Sequence, residues 1–173
     1  MGSVERFKID LKSQKEENVS YEFRLDKDYF DVVEATEVKG GMLHAVLDVH
    51  KTAGMYEVNI HVEGEATVVC DICLDDLQQP ICTDSRFVVR LGDRYSDEGE
   101  AITIPAEEGM LDVSWLIYEM IALAIPTRHV HAEGECNPTM LERIGEMSIH
   151  EEDNTDSDPR WKELEKFKST IKE

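Results

Sequence analysis

The chain has 173 residues and carries 18 Lys and Arg against 38 Asp and Glu, a formal charge of −20. Hydrophobic residues make up 41% and charged residues 32%, which is enough apolar side chain for a real core and excludes a wholly disordered chain. The acidity is spread along the sequence and no third of it is basic, so the chain offers little from which to build the positive face that phosphate neutralisation needs, and an anionic membrane surface is disfavoured for the same reason. The natural counterpart of such a charge is a basic protein.

The length suits one domain, or a domain with an appendage. No stretch approaches the roughly 18–20 apolar residues that span a bilayer. The start, Met1-Gly2-Ser3-Val4-Glu5-Arg6, lacks the basic region and apolar run of a signal peptide. Without an export signal, the four cysteines at 70, 73, 82 and 136 point to reduced thiols and a cytoplasmic location.

The first half is written in period two. Val19, Tyr21, Phe23 and Leu25 alternate with polar residues, as a strand buried on one face requires. A short helix over Asp28–Glu34 follows, with Tyr29, Phe30 and Val33 on one side. Alternation resumes over Met42–Val49 and Tyr56–Val62, and Lys51-Thr52-Ala53-Gly54 between them suits a hairpin loop. Ala66–Val69 continues as strand into the first cysteine pair, and Ile81, Thr83, Ser85, Phe87, Val89 and Leu91 form the next alternating run. Residues 95–100 read as an acidic loop and Ile102–Ile104 as a short strand.

The period changes at residue 112. Asp112 is placed to cap a helix running to Ile125, where Pro126 ends it. Trp115, Leu116, Met120, Leu123 and Ala124 make that helix apolar nearly all round, which predicts a central helix buried against the sheet. Residues 146–157 read as an acidic, flexible linker. Asp158-Pro159 then opens a C-terminal helix over 158–173, with Trp161, Leu164, Phe167 and Ile171 on one stripe. An amphipathic helix after a tether must dock on its own domain or on a partner, which makes Trp161, Leu164 and Phe167 candidate partner-binding residues.

Cys70-Asp71-Ile72-Cys73 is the sharpest local feature. Two thiolates across a tight turn at a strand end are half of a tetrahedral zinc site. Cys82 lies close by in sequence, and Cys136 follows His129 and His131, so a Cys-rich site completed by His129 or His131 is one expectation, with Cys70, Cys73, Cys136 and His131 as its first set. Buried reduced thiols are the competing one. A thioredoxin-like role is weaker, because no βαβ pattern or helix N-terminus accompanies the pair. There is no Gly-rich phosphate loop, His-Glu-x-x-His or Gly-x-Ser-x-Gly. His44, His50 and His61 fall on the strands of one hairpin and read as surface histidines. The chain reads as a non-enzyme.

Three features in order resemble the bacterial YceD family of large ribosomal RNA subunit accumulation proteins. They are the Cys70-x-x-Cys73-Leu74 turn after β-strands, the block from Leu111-Asp112-Val113 to Leu123-Ala124-Ile125-Pro126, and Asp158-Pro159-Arg160-Trp161-x-x-Leu164. The resemblance implies a non-enzymatic cytoplasmic factor supporting 23S ribosomal RNA accumulation and large-subunit assembly. It also implies a basic partner, since genes of the family often neighbour one for a small large-subunit ribosomal protein. Many members carry further cysteines just after the Leu-Pro helix end, whereas Thr127–Met140 here holds Cys136 and two histidines. A mixed Cys/His metal set therefore replaces a four-cysteine one.

The expected fold is α+β. It comprises a mainly antiparallel, curved or barrel-like sheet with one buried helix over residues 1–145, then the linker and the C-terminal amphipathic helix. The expected function is a ribosome-biogenesis accessory protein that binds a basic large-subunit ribosomal protein or a pre-ribosomal particle. Naked RNA is a poorer ligand, because Arg86, Arg90 and Arg94 are the only local basic cluster. The alternative is a zinc- or redox-responsive protein acting through Cys70 and Cys73, with structural zinc as the candidate cofactor.

Overall fold

Residues 4–99 and 101–148 are described by a computed structural model. A 3-10 turn (Val4–Phe7) leads into β1 (Lys8–Asp10), β2 (Asn18–Leu25), α1 (Lys27–Val32), β3 (Gly40–Thr52), β4 (Met55–Val69) and β5 (Asp76–Gly92). β6 (Ser96–Asp97), β7 (Ala101–Pro105), β8 (Met110–Asp112), α2 (Ser114–Ala124) and α3 (Pro138–Met147) complete the order. The chain divides into two compact units, Met1–Asn137 and Pro138–Glu173.

The period-two runs become one six-stranded sheet of order β2-β3-β4-β5-β7-β6. Neighbours are antiparallel except β5 and β7, which run parallel. The alternation decides the faces: Leu43, Ala45, Leu47 and Val49 on β3, and Tyr56, Val58, Ile60 and Val62 on β4, are all buried. Two glycines let the β3 and β4 backbones approach closely. At Gly64, with φ +140°, a Cβ would stand 2.4 Å from the Met42 carbonyl oxygen, and at Gly41 one would stand 2.5 Å from that of Glu65. Thr52 pairs with Met55, so Ala53 (φ 24°) and Gly54 (φ 90°) form the two-residue hairpin loop. The sheet stays open, with β2 and β6 as its edges, and does not close into the barrel-like form that was one expectation.

α2 buries Leu116, Ile117, Tyr118, Met120 and Ile121 in the core. The buried Tyr29 of α1 donates its hydroxyl proton to the Ser114 carbonyl at 2.8 Å, joining the two helices. Tyr29 also packs its ring against Phe7 and Phe30, each at 5.0 Å between centroids. Asp112 does not occupy the N-cap of α2. It is held extended by the β8 pairing with β1, and Val113 takes the cap position. Its carboxylate still serves the helix start, accepting from the Ser114 N–H at 3.0 Å and hydroxyl at 2.6 Å. Nor is the helix buried all round: Trp115 is 53% and Leu123 87% exposed.

In the second unit, α3 carries Leu141, Ile144 and Met147 at three-residue spacing; the periodicity reading had placed no helix there. The expected C-terminal helix over 158–173 lies outside the described residues. Among the described residues, no helix is long and apolar enough to cross a membrane.

Candidate metal centre

β4 and β5 pair out to Val69 and Asp76, and the six residues between them must reverse the chain. The reversal is tied internally. Cys70 N–H donates to the Asp75 carbonyl at 2.9 Å, and Leu74 N–H donates to the Cys70 carbonyl at 3.0 Å. Leu74 takes a left-handed φ of 63°. Cys70 and Cys73 are fully buried in this turn.

The segment after α2 folds back over the turn. Asp71 anchors it on both sides: its N–H donates to the His129 carbonyl at 3.0 Å, and its carboxylate accepts from the His129 N–H at 2.8 Å. At the far end, Asn137 donates to the Asp75 carboxylate at 3.0 Å. Between these anchors, His131 and Cys136, both half-buried, come down onto the cysteine pair.

The donor atoms of Cys70, Cys73, His131 and Cys136 all lie within 4.8 Å of one another. Cys70 Sγ is 3.9 Å from Cys136 Sγ, Cys73 Sγ is 3.3 Å from His131 Nδ1, and Cys136 Sγ is 3.9 Å from the same nitrogen. A tetrahedron with Zn–S near 2.3 Å and Zn–N near 2.0 Å has S···S edges of about 3.8 Å and S···N edges of about 3.5 Å. The donor set therefore fits zinc in spacing and in chemistry.

The surroundings prepare the same chemistry. His131 Nε2 lies 3.2 Å from the Asp76 carbonyl oxygen. A carbonyl can only accept, so Nε2 carries the proton and the Nδ1 lone pair faces the thiols. Burial pushes the Cys70 thiol up, but backbone N–H groups of Cys73, His131 and Ile72 aimed at its sulfur outweigh that and bring it down to about 6. Cys136 is pushed up to about 11 by burial and by the neighbouring Cys70 and Cys73 sulfurs. Three thiols around one point cannot all ionise without a cation between them.

Of the remaining sequence candidates, His129 turns away from the sulfurs, with Nδ1 3.0 Å from the Pro126 carbonyl and Nε2 3.6 Å from Asp71. Cys82 is exposed on β5, opposite Glu63. His44 faces Glu22 at 3.6 Å and His61 faces Asp84 at 2.8 Å, so each has an acidic partner. The Arg86 guanidinium is paired with Glu57 at 2.8 Å, leaving less of the arginine cluster for phosphate. Trp161, Leu164 and Phe167 lie outside the described residues. Sequence reasoning missed Asp71 and the Asp76 carbonyl, which hold the His129–His131 segment against the cysteine turn; an Asp directly after the first cysteine was the one visible signal.

The family model described as large ribosomal RNA subunit accumulation protein YceD matches residues 58–168. This span begins at Val58, near the start of β4, and includes all four donors. No curated protein and no solved structure matches the chain.

Proposed function

The chain belongs to the YceD family of large ribosomal RNA subunit accumulation proteins, and from that membership we propose that it is a non-enzymatic accessory factor of large-subunit assembly, acting by binding a basic ribosomal protein or pre-ribosomal particle. The observation that carries this reading is the net charge of −20 on a member of a ribosomal family. A polyanion of that size is repelled by naked RNA and attracted to the basic proteins that must meet RNA. Shielding such a protein until it is placed on 23S RNA links the charge to RNA accumulation. In physiological salt the protein should bind basic large-subunit proteins measurably and naked large-subunit RNA weakly. Tight binding to the RNA with none to any ribosomal protein would refute the reading.

The Cys70–Cys73–His131–Cys136 cluster supports a second component, one structural zinc. Four protein donors fill a tetrahedral shell and leave no position open for substrate, so zinc here would hold the segment after α2 onto the β4–β5 turn instead of doing chemistry. A purely redox role for the cysteine pair has less support, because it gives Cys136 and the orientation of His131 by the Asp76 carbonyl no part, whereas all four donors suit one tetrahedral shell.

A further inference from the structure

We propose that the outward face of α2, centred on Trp115 with Asp112 and Glu119, is the docking surface for an arginine- and lysine-rich protein segment. The inference rests on the reading above, that the chain serves basic ribosomal components, and names the surface it uses.

A helix that only covers its own sheet presents polar residues outward. α2 presents an indole instead, with Trp115 53% and Leu123 87% exposed and the exposed Glu119 between them. The indole is held in place. Its Nε1–H donates to Glu119 Oε1 at 2.9 Å, and its ring lies 5.2 Å from that of Tyr118 at an interplanar angle of 51°. Tyr118 is itself fixed, its hydroxyl oxygen accepting from the Thr36 N–H at 3.2 Å. An aromatic face fixed before binding loses little entropy when a partner arrives.

Tyr95 is 62% exposed on the segment that links β5 to β6. Its phenol is pushed up by partial burial and then by the negative charges of Asp97, Glu119 and Asp112. Lys8 stands opposite Asp112 across the β1–β8 pair and offsets one charge, and Asp93 and Arg94 beside Tyr95 cancel. The patch is therefore aromatic and net acidic. Ring faces attract guanidinium and ammonium groups, and adjacent carboxylates accept their N–H bonds. A nucleic-acid base could stack on the same indole, but its phosphates would meet these carboxylates. The charge thus selects a basic protein segment as the occupant.

The test is calorimetry on the full chain in physiological salt, with a peptide of alternating Arg and Gly and with proteins extracted from large subunits. Trp115→Ala should weaken peptide binding about tenfold and Trp115→Phe by less, as cation–π strength falls from indole to phenyl. Glu119→Gln keeps an acceptor for the indole and removes one charge, and should weaken binding about threefold. Glu22→Gln, on the far edge strand β2, should change nothing. Unchanged affinity in Trp115→Phe and Glu119→Gln, with normal melting curves, overturns the surface even if Trp115→Ala unfolds. If the extracted proteins bind wild type and Trp115→Ala equally, the surface is wrong and the function stands. If they do not bind wild type at all, the function fails. Naked RNA binding that disappears in Trp115→Ala would reassign the patch to base stacking.

Discussion

Stripping metal from the Cys70–Cys73–His131–Cys136 centre should lower stability by an amount the chain topology sets. Zinc would join Cys73 to His131, 58 residues apart. Closing a loop of that length removes about 4 kcal/mol of chain entropy from the unfolded state. Mass action gives a similar figure, since free zinc at a thousandfold over Kd stabilises by about 4 kcal/mol. At roughly 2–4 °C per kcal/mol for a domain of this size, a strong chelator should lower Tm by about 8–16 °C, and added zinc should restore it. The assay is a melting curve followed by near-ultraviolet circular dichroism, with metal content measured on the same sample. Cys73→Ser should lose the metal and give the chelated curve, whereas Cys82→Ser, exposed and outside the cluster, should match wild type. Metal-free purified protein whose melting is indifferent to both chelator and zinc would refute the reasoning, because the four donors would then be packed thiols and a surface histidine.

Gly64→Ala should destabilise by about 2–3 kcal/mol in urea unfolding, since the new Cβ would stand 2.4 Å from the Met42 carbonyl oxygen at a φ of +140°. Ala53→Asn, in contrast, should stabilise by about 0.5–1 kcal/mol and raise Tm, because it converts a strained φ of 24° before Gly54 into an Asn-Gly hairpin loop. Tyr29→Phe should cost about 1–2 kcal/mol by removing the buried hydroxyl that bonds the Ser114 carbonyl at 2.8 Å. His61 should titrate above the ordinary histidine value, held up by its hydrogen bond to Asp84, then by that charge and by Glu63. Its folded pKa is raised, so its contribution is fully present below the unfolded value near 6.5 and is lost as pH rises through the folded one. Nuclear magnetic resonance titration of the imidazole in wild type and Asp84→Asn checks this, the variant returning it towards the ordinary value.

The strands β2 to β5 were legible because each exposes one face and buries the other, so alternation along the sequence is a direct image of the pleat. β1, β6 and β8 were not. They are two or three residues long, too short for a period to register, and exist through pairing alone. The parallel pairing of β7 with β5 likewise left no mark on the local pattern. α3 was missed because its few apolar residues follow Pro138 in a stretch read by its cysteine and histidines. In the candidate metal centre the cysteine pair announced itself by spacing, and the structure brings Cys136 and His131 to it while turning His129 and Cys82 away.

By itself the sequence determined the quantities that are sums or periods along the chain. These are the strongly acidic charge, the faces of the long strands, the end of α2 at Pro126, and the donor types available for a metal. Tertiary structure decided everything that depends on distance between residues far apart in sequence. It chose His131 over His129, because the Asp71 anchor takes the first imidazole and the Asp76 carbonyl orients the second. It left Trp115 facing outward on a helix whose composition alone predicts burial, because a sheet covers one side of a helix and cannot cover both.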